Sequence, residues 1–146
     1  MLLAAALLSG QSAWAQSTGG DEARALLVAV NATRAKAGLD TLRENPQLRR
    51  AAADLADDLP RCGRFSHQGC DGSDLRERLA RAGYPLAFAA ENLAHGPANA
   101  ADTLAAWLES PGHRENLLRP ELREAGIAEG ELLGQPLWVM VLGSRR

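Results

Sequence analysis

The segment "PLWVMVLG", residues 136–143, is apolar on both faces when it is extended, which is typical of a central strand covered on both sides. Two further segments, "LAFAAENLAHG" at 86–96 and "AGIAEG" at 125–130, are also strand-like. Most of the remaining sequence has the spacing of amphipathic helices. The pattern therefore predicts an α+β fold in which helices pack against a small sheet.

Helices are predicted where apolar residues recur at helical spacing and capping residues flank them. Pro46 begins the second helix, where its missing N–H costs nothing, and Pro60 is expected to close it. The spacing of Asp74 and Glu77 indicates a capping box at the start of the third. The Pro-Gly pair at 111–112 is expected to stop the fourth. The predicted helices span 21–37, 46–59, 73 or 74 to 81, and 99–109.

Composition excludes several classes of protein. The chain has 146 residues, a formal charge of −2 and 46% hydrophobic residues, which indicates one globular domain with a substantial core. Basic and acidic residues are balanced and interleaved, so no charge pattern indicates nucleic-acid binding. Beyond the first residues, no apolar run reaches the roughly 18 to 20 residues of a membrane span. We expect a monomer with no nucleic-acid partner and no membrane span in the mature chain.

The first 15 residues are typical of a secretory signal peptide. The apolar run Leu2–Leu8 is followed by an A-x-A site at Ala13 and Ala15, and cleavage there would leave Gln16 as the new N-terminus. No positive charge precedes the run, so a longer signal or a retained anchor are alternatives. The sequence predicts a secreted or periplasmic protein with a signal peptide at 1–15, a flexible lead-in at 16–21 and one domain at 22–146.

The two cysteines of the chain, Cys62 and Cys70, flank a histidine in the polar segment "RCGRFSHQGCDGSD", residues 61–74. In an oxidising compartment they can pair, whereas in the cytosol they would be free or metal-bound. A nucleophilic cysteine activated by His67 is the rival interpretation, which no further motif supports. If the protein is exported, a Cys62–Cys70 disulfide is expected, and it would restrict the motion of the loop that contains His67.

Several polar residues fit neither a core nor a helix cap. They include Glu91 and Asn92 in the middle of an apolar strand, and the histidines at 67, 95 and 113. A carboxylate among apolar neighbours is costly to bury without a partner, and a histidine is the expected partner of Glu91. His95 is interpreted as a surface residue near the end of the strand.

Five segments occur in a fixed order along the chain: "FSHQGCDGSDLRERLARAGY" (65–84), "AENLAHG" (90–96), "AAWLESPGHRENLL" (105–118), "AGIA" (125–128) and "LWVMVLG" (137–143). In order and spacing they resemble the bacterial branch of the CAP superfamily, which includes cysteine-rich secretory proteins, antigen 5 and pathogenesis-related proteins. The resemblance covers residues 22–143. It implies a three-layer α-β-α sandwich of the CAP (SCP) type, with a central, mostly antiparallel sheet and an open cleft.

The resemblance also implies which residues line that cleft. His67, Glu91 and His113 match the family's first histidine, a glutamate and the second histidine. At the position of the family's second glutamate this chain has Ser110, and Glu109 lies one residue away, about 100° around a helix. Residues expected to support the cleft side chains are Asn92, Ser110 and Trp107.

Two imidazoles and a carboxylate are suitable ligands for zinc or a similar divalent cation, so His67, His113 and Glu91 form a candidate metal site. A hydrogen-bonded polar network without metal is the alternative. The motifs H-E-x-x-H and G-x-S-x-G are absent.

The sequence therefore favours a binding module for an unidentified envelope ligand, lipid or protein over an enzyme. A metal-assisted hydrolase or protease of the cell envelope and a lipid- or sterol-binding protein are alternatives, as is a rigid scaffold. A hydrolase should depend on His67 and Glu91, a lipid binder should tolerate their replacement, and a scaffold should need neither these residues nor lipid.

Overall fold

The structure is a computed structural model that describes residues 19–146; the predicted signal peptide at 1–15 and residues 16–18 of the predicted lead-in lie outside the described residues. Helix α1 begins at Gly19, so it includes the last residues of that lead-in. The elements in chain order are α1 (Gly19–Lys36), β1 (Arg43–Glu44), α2 (Pro46–Cys62), α3 (Leu75–Arg81), β2 (Leu86–His95), α4 (Ala100–Glu109), α5 (Pro111–Leu117), β3 (Glu124–Leu132) and β4 (Gln135–Arg145).

The four strands form one mixed sheet in the order β1-β3-β4-β2. Strand β4 is antiparallel to both β2 and β3, and only the two-residue strand β1 runs parallel to its neighbour β3. The prediction that residues 136–143 form a central strand is confirmed. Strand β2, which carries Glu91, lies at one edge of the sheet, so its outer side is open to side chains from the helices.

Side chains of β4 alternate between two helical layers, as the pleat of a strand requires. Leu137, Val139 and Val141 pack with α2 and α3 on one face of the sheet. Trp138, Met140 and Leu142 pack with α1, α4 and α5 on the other face, and all six side chains are buried. The predicted three-layer α-β-α sandwich is therefore confirmed, with the sheet mixed rather than purely antiparallel.

Helix α2 lies directly on β3, and a glycine permits this approach. A Cβ atom at Gly126 would overlap the backbone nitrogen of Arg49, which no side chain could tolerate. Four residues along the strand, a Cβ at Gly130 would lie 3.1 Å from the carbonyl oxygen of Ala56. The two glycines thus set the position of α2 relative to the β1–β3 edge of the sheet.

Two helix boundaries differ from the predictions. Pro60 does not close α2, which continues to Cys62, because a proline in the last turn removes only one hydrogen bond. The helix ends instead at Gly63, whose φ of 63° is left-handed and whose N–H donates to the carbonyl of Leu59 at 3.0 Å. Pro111 does end α4 but also begins α5, because proline is suited to a first helical turn.

Among the described residues, no helix is both long enough and apolar enough to cross a membrane.

Candidate functional site

The loop between α2 and α3 is fixed by a disulfide. Cys62, the last residue of α2, is bonded to Cys70, so the predicted pairing is confirmed. The bond closes the loop that contains His67, whose side chain is 61% exposed. The first histidine of the candidate site is therefore attached to α2 by a covalent bond.

Removal of this disulfide tests its contribution. The Cys62→Ser/Cys70→Ser variant is expected to lower the free energy of unfolding by about 2.5 kcal/mol, since the closed loop contains about nine residues. Urea denaturation of the oxidised protein and of the variant measures the difference. Addition of reductant should bring the wild type to the stability of the variant and leave the variant unchanged. Equal stability of the oxidised wild type and the variant would contradict the stabilising role assigned to the Cys62–Cys70 disulfide.

Glu91 provides the buried carboxylate of the site. Its side chain is 3% exposed and points from β2 toward α3. Arg78 of α3 holds both carboxylate oxygens, with Nη1 donating to Oε2 at 2.7 Å and Nη2 to Oε1 at 3.1 Å. His67 Nδ1 lies 2.9 Å from the same Oε1. The predicted histidine partner is thus present, but the main partner of the buried charge is an arginine.

Sequence reasoning missed Arg78. Its guanidinium is buried and also donates to the carbonyls of Ala51 and His67, at 3.2 and 3.1 Å, so it joins α2, the disulfide loop and β2. One signal was available: Arg78 lies on the same face of α3 as Leu75 and next to Leu79, which is buried with it. A charged residue on the apolar face of a short helix indicates a buried partner.

The contact with Glu91 selects one tautomer of His67. A carboxylate only accepts hydrogen bonds, so Nδ1 carries the hydrogen and donates it to Oε1. When the ring is neutral, Nε2 carries no hydrogen and keeps its lone pair. Because the side chain of His67 is exposed, this lone pair faces solvent. Carboxylate-bound imidazoles of this kind are typical ligands of metal ions and typical proton acceptors.

The second histidine, His113, lies in the first turn of α5 and is half-buried. Asn92 of β2 donates to its backbone carbonyl at 3.0 Å, and Asn116 donates to the Oδ1 of Asn92 at 3.0 Å. Burial lowers the pKa of His113, and the nearby charge of His67 lowers it further. Both effects favour the neutral form of His113.

The outer edge of β2 is covered by side chains of α4 and α5. Trp107, 1% exposed, donates from Nε1 to the carbonyl of Leu93 at 2.9 Å, and Asn116 reaches the carbonyl of Glu91 at 3.4 Å. These bonds satisfy backbone acceptors that an edge strand leaves free. Trp107 therefore positions α4 against the strand that carries Glu91.

Among the described residues, the side chains of Ser110, Glu109 and His95 make no hydrogen bond to His67, Glu91 or His113. Ser110 joins α4 to α5, but its hydroxyl makes no capping hydrogen bond, and the side chain of Glu109 is exposed. His95 stacks on Phe65 with ring centroids 5.7 Å apart, and its Nε2 lies 2.6 Å from the carbonyl of Leu132.

Both carboxylate oxygens of Glu91 are already engaged in hydrogen bonds. Each oxygen of Glu91 already accepts a hydrogen bond from Arg78, and Oε1 also contacts His67. Within residues 19–146, no three side chains of His, Cys, Asp or Glu are grouped so that they could hold a metal ion. The carboxylate of Glu91 is placed to orient the ring of His67.

Comparison with known sequences relates this chain to a family. The profile of the cysteine-rich secretory protein family (CAP) matches residues 27–131. The YkwD protein of Bacillus subtilis is 30% identical over 98 residues, which are 67% of this chain and 38% of that protein. The membrane protein YlbC of the same species is 28% identical over 102 residues, 70% of this chain and 30% of that protein. This chain therefore spans less than half the length of these curated relatives.

Solved structures share its fold. An outer surface protein of Borrelia burgdorferi superimposes with a TM-score of 0.79 at 22% identity, over 86% of this chain and 94% of that chain. An extracellular SCP-domain protein of Bacillus anthracis gives 0.78 at 23% identity, over 88% and 41%. At these identities the likeness shows the fold alone. Because the family profile covers most of the described residues, this chain belongs to the cysteine-rich secretory protein (CAP) family.

Proposed function

We propose that this chain is a binding module that works outside the cytoplasm and holds its ligand at the cleft of His67 and His113, where the two imidazoles bind a divalent cation such as zinc. The observation that carries the proposal is the Arg78–Glu91–His67 chain of hydrogen bonds. It fixes the ring of His67 with Nε2 free. The second imidazole, near enough to interact electrostatically with the first, is kept neutral by burial.

The roles of the three predicted ligands then differ. His67 and His113 would hold the cation through neutral ring nitrogens, which are common zinc ligands. Glu91 would act through His67, because its oxygens are already engaged by Arg78. Two protein ligands leave the other coordination positions to water or to groups of the bound molecule, so binding by the protein alone is expected to be weak. A cation held there would polarise a ligand oxygen.

Export is supported by two independent observations. The Cys62–Cys70 bond is of the kind that persists in oxidising compartments and is rare in the cytosol. The similar solved structures include an extracellular protein and an outer surface protein. We therefore propose that the protein works in the periplasm or outside the cell, as the N-terminal sequence predicts.

Calorimetric titration with zinc chloride tests the cation site. The oxidised wild type is expected to bind zinc, and the His67→Ala/His113→Ala variant is expected to lose that binding while it keeps its circular dichroism spectrum. The matched control is His95→Ala, which removes the third histidine of the chain, a residue engaged with Phe65 and Leu132. The control should bind zinc like the wild type.

Two results would overturn the cation proposal. One is the absence of binding by the wild type at millimolar zinc. The other is equal binding by the wild type and the folded double variant, because the cation would then lie elsewhere. In either case the Arg78–Glu91–His67 chain would be a polar network that orders the cleft.

A further inference from the structure

A concave site lies at the opposite edge of the sheet from His67, Glu91 and His113. Helices α1 and α2 form its walls, and β3 forms its floor, around a cavity of about 740 Å³. This volume is within the range of sites that hold small molecules and short peptides. We call this site the β3 groove; the residues that define it are Leu27 of α1, Ala53 of α2, and Ile127 and Glu129 of β3.

The floor of the β3 groove is an unpaired strand edge. Strand β1 covers β3 only at Glu124 and Ala125, and its last hydrogen bond is from the N–H of Asn45 to the carbonyl of Ala125 at 2.8 Å. The chain then turns away into α2. Backbone groups alternate in direction along a strand, so those of Ile127 and Glu129 point to the same side as those of Ala125.

These backbone groups are recessed and unpartnered. The two-residue hairpin pairs Leu132 with Gln135, so the backbone of Leu132 points toward β4. Backbone direction alternates along the strand, so every second residue from Leu132 bonds to β4. Ile127 and Glu129 are not among these residues, and their backbone groups point away from β4. Within residues 19–146, no backbone group outside the β3–β4 ladder bonds to the backbone of either residue. Ile127 is nevertheless only 7% exposed. Unpaired backbone groups at this depth cost free energy that an added strand would recover.

The half-buried side chain of Glu129 adds a carboxyl group to this floor. The Oε2 atom of Glu129 is buried and makes no hydrogen bond in the described part of the chain. Burial raises the pKa of Glu129 to about 7, and the nearby charge of Glu22 contributes to the increase. Arg24 and Arg50 of the walls are exposed, so solvent screens their charges far more than that of Glu129. A ligand with a cationic group that reaches the floor would pair with the Glu129 carboxylate.

We propose that the β3 groove binds an extended peptide, which adds to the free edge of β3 as a further strand and directs a lysine or arginine side chain to Glu129. The peptide backbone pairs with Ile127 and Glu129, as in other cases of strand addition. Its side chains alternate between the wall of α1 and the wall of α2. The groove is thus a peptide site separate from the histidine cleft.

The depth of the groove favours a single extended chain over a second copy of this protein. The β3 edge is recessed between α1 and α2. In a dimer joined through two β3 edges, the helices of the two copies would meet before the strands could pair. One extended peptide fits between the helices because it brings no helices of its own. Its basic residue supplies the partner that the Oε2 of Glu129 lacks among residues 19–146.

The test uses acetylated, amidated hexapeptides of alternating valine and threonine with one central position occupied by lysine, glutamine or glutamate. Amide hydrogen exchange by NMR reports the edge directly. The lysine peptide at millimolar concentration should slow exchange at Ile127 and Glu129 at least tenfold, and should bind at least tenfold more tightly than the glutamate peptide. The His67→Ala/His113→Ala variant should bind it unchanged, which separates this test from that of the cation site.

Two variants localise the binding. Glu129→Gln should reduce the preference for lysine over glutamate at least fivefold, while Glu131→Gln, an exposed glutamate of the same strand, should leave it unchanged. Ala53→Trp should fill the groove and abolish binding, and Ala105→Trp on the exposed face of α4 should not.

The proposal is overturned if none of the three peptides slows exchange at these amides. It is also overturned if protection appears without peptide and increases with protein concentration, because the edge would then pair with a second copy. If Glu129→Gln binds the lysine peptide with the same preference as the wild type, the proposed pairing of a basic side chain with Glu129 is wrong.

Discussion

Replacing Glu91 by glutamine is expected to lower the free energy of unfolding by about 3 to 5 kcal/mol. The variant keeps the shape of the side chain but removes the charge that faces Arg78. That guanidinium is buried against Ala51 and the disulfide loop, so no solvent replaces the lost carboxylate. Guanidinium chloride denaturation at pH 7 measures the change.

Two further variants show whether the buried ion pair is responsible. Glu44→Gln removes an exposed ion pair with Arg49, whose side chain is 58% exposed, and should cost at most about 1 kcal/mol. The double variant Arg78→Met/Glu91→Leu removes both buried charges and should recover most of the loss, because no charge remains uncompensated. A loss for Glu91→Gln no larger than that for Glu44→Gln would contradict the assigned role of Arg78.

Glu129 should make the protein less stable as the pH rises from about 4.5 to about 7. Its pKa is raised from 4.5 to about 7 by burial and by Glu22. In this interval the folded state keeps a proton that the unfolded state has lost, so the free energy of unfolding falls as the pH rises and levels off above pH 7. The total decrease is on the order of 3 kcal/mol.

The Glu129→Gln variant isolates this contribution, because its side chain stays neutral at every pH. At pH 8 it should be more stable than the wild type by on the order of 3 kcal/mol, and at pH 4 the two should be nearly equal. His113 has a lowered pKa, so its contribution makes the free energy of unfolding rise with pH below the ordinary pKa of a histidine. Both proteins contain His113, so its contribution cancels when the stability of the wild type is subtracted from that of the variant. A stability difference that does not change between pH 4 and pH 8 would contradict the burial of this carboxylate.

The layers of the fold could be predicted because they depend on local patterns. The two-sided apolar character of residues 136–143 identified the central strand, and the strand-like segment at 86–96 identified β2. Helix α5 could not be found in this way. A Pro-Gly pair after a helix is a usual stop signal, although Pro111 is also compatible with a first helical turn, and α5 is held in place by the tertiary hydrogen bonds of Asn92 and Asn116.

The candidate site was only partly predictable, for a related reason. His67, Glu91 and His113 could be named from sequence, because Glu91 interrupts an apolar strand and all three residues match a family pattern. Arg78 was missed, because in a helix rich in charged residues one more arginine suggests a solvated surface. Only the burial of the helix face shows that it neutralises Glu91.

The β3 groove could not be predicted at all. It exists because β1 has only two residues, so β3 extends beyond its neighbour, and that length is set by where Asn45 caps α2. Glu129 gave no signal in the sequence, since a glutamate near the end of a strand is ordinarily solvated.

The most direct test of the account is zinc titration of the oxidised protein followed by the imidazole ¹⁵N resonances of its three histidines. The account predicts that free His67 carries its hydrogen on Nδ1, and that the His67 and His113 resonances move together and saturate at the same zinc concentration. His95 should stay in place. Movement of His95 to the same extent, or of only one of the two cleft histidines, would contradict a shared cation site between His67 and His113.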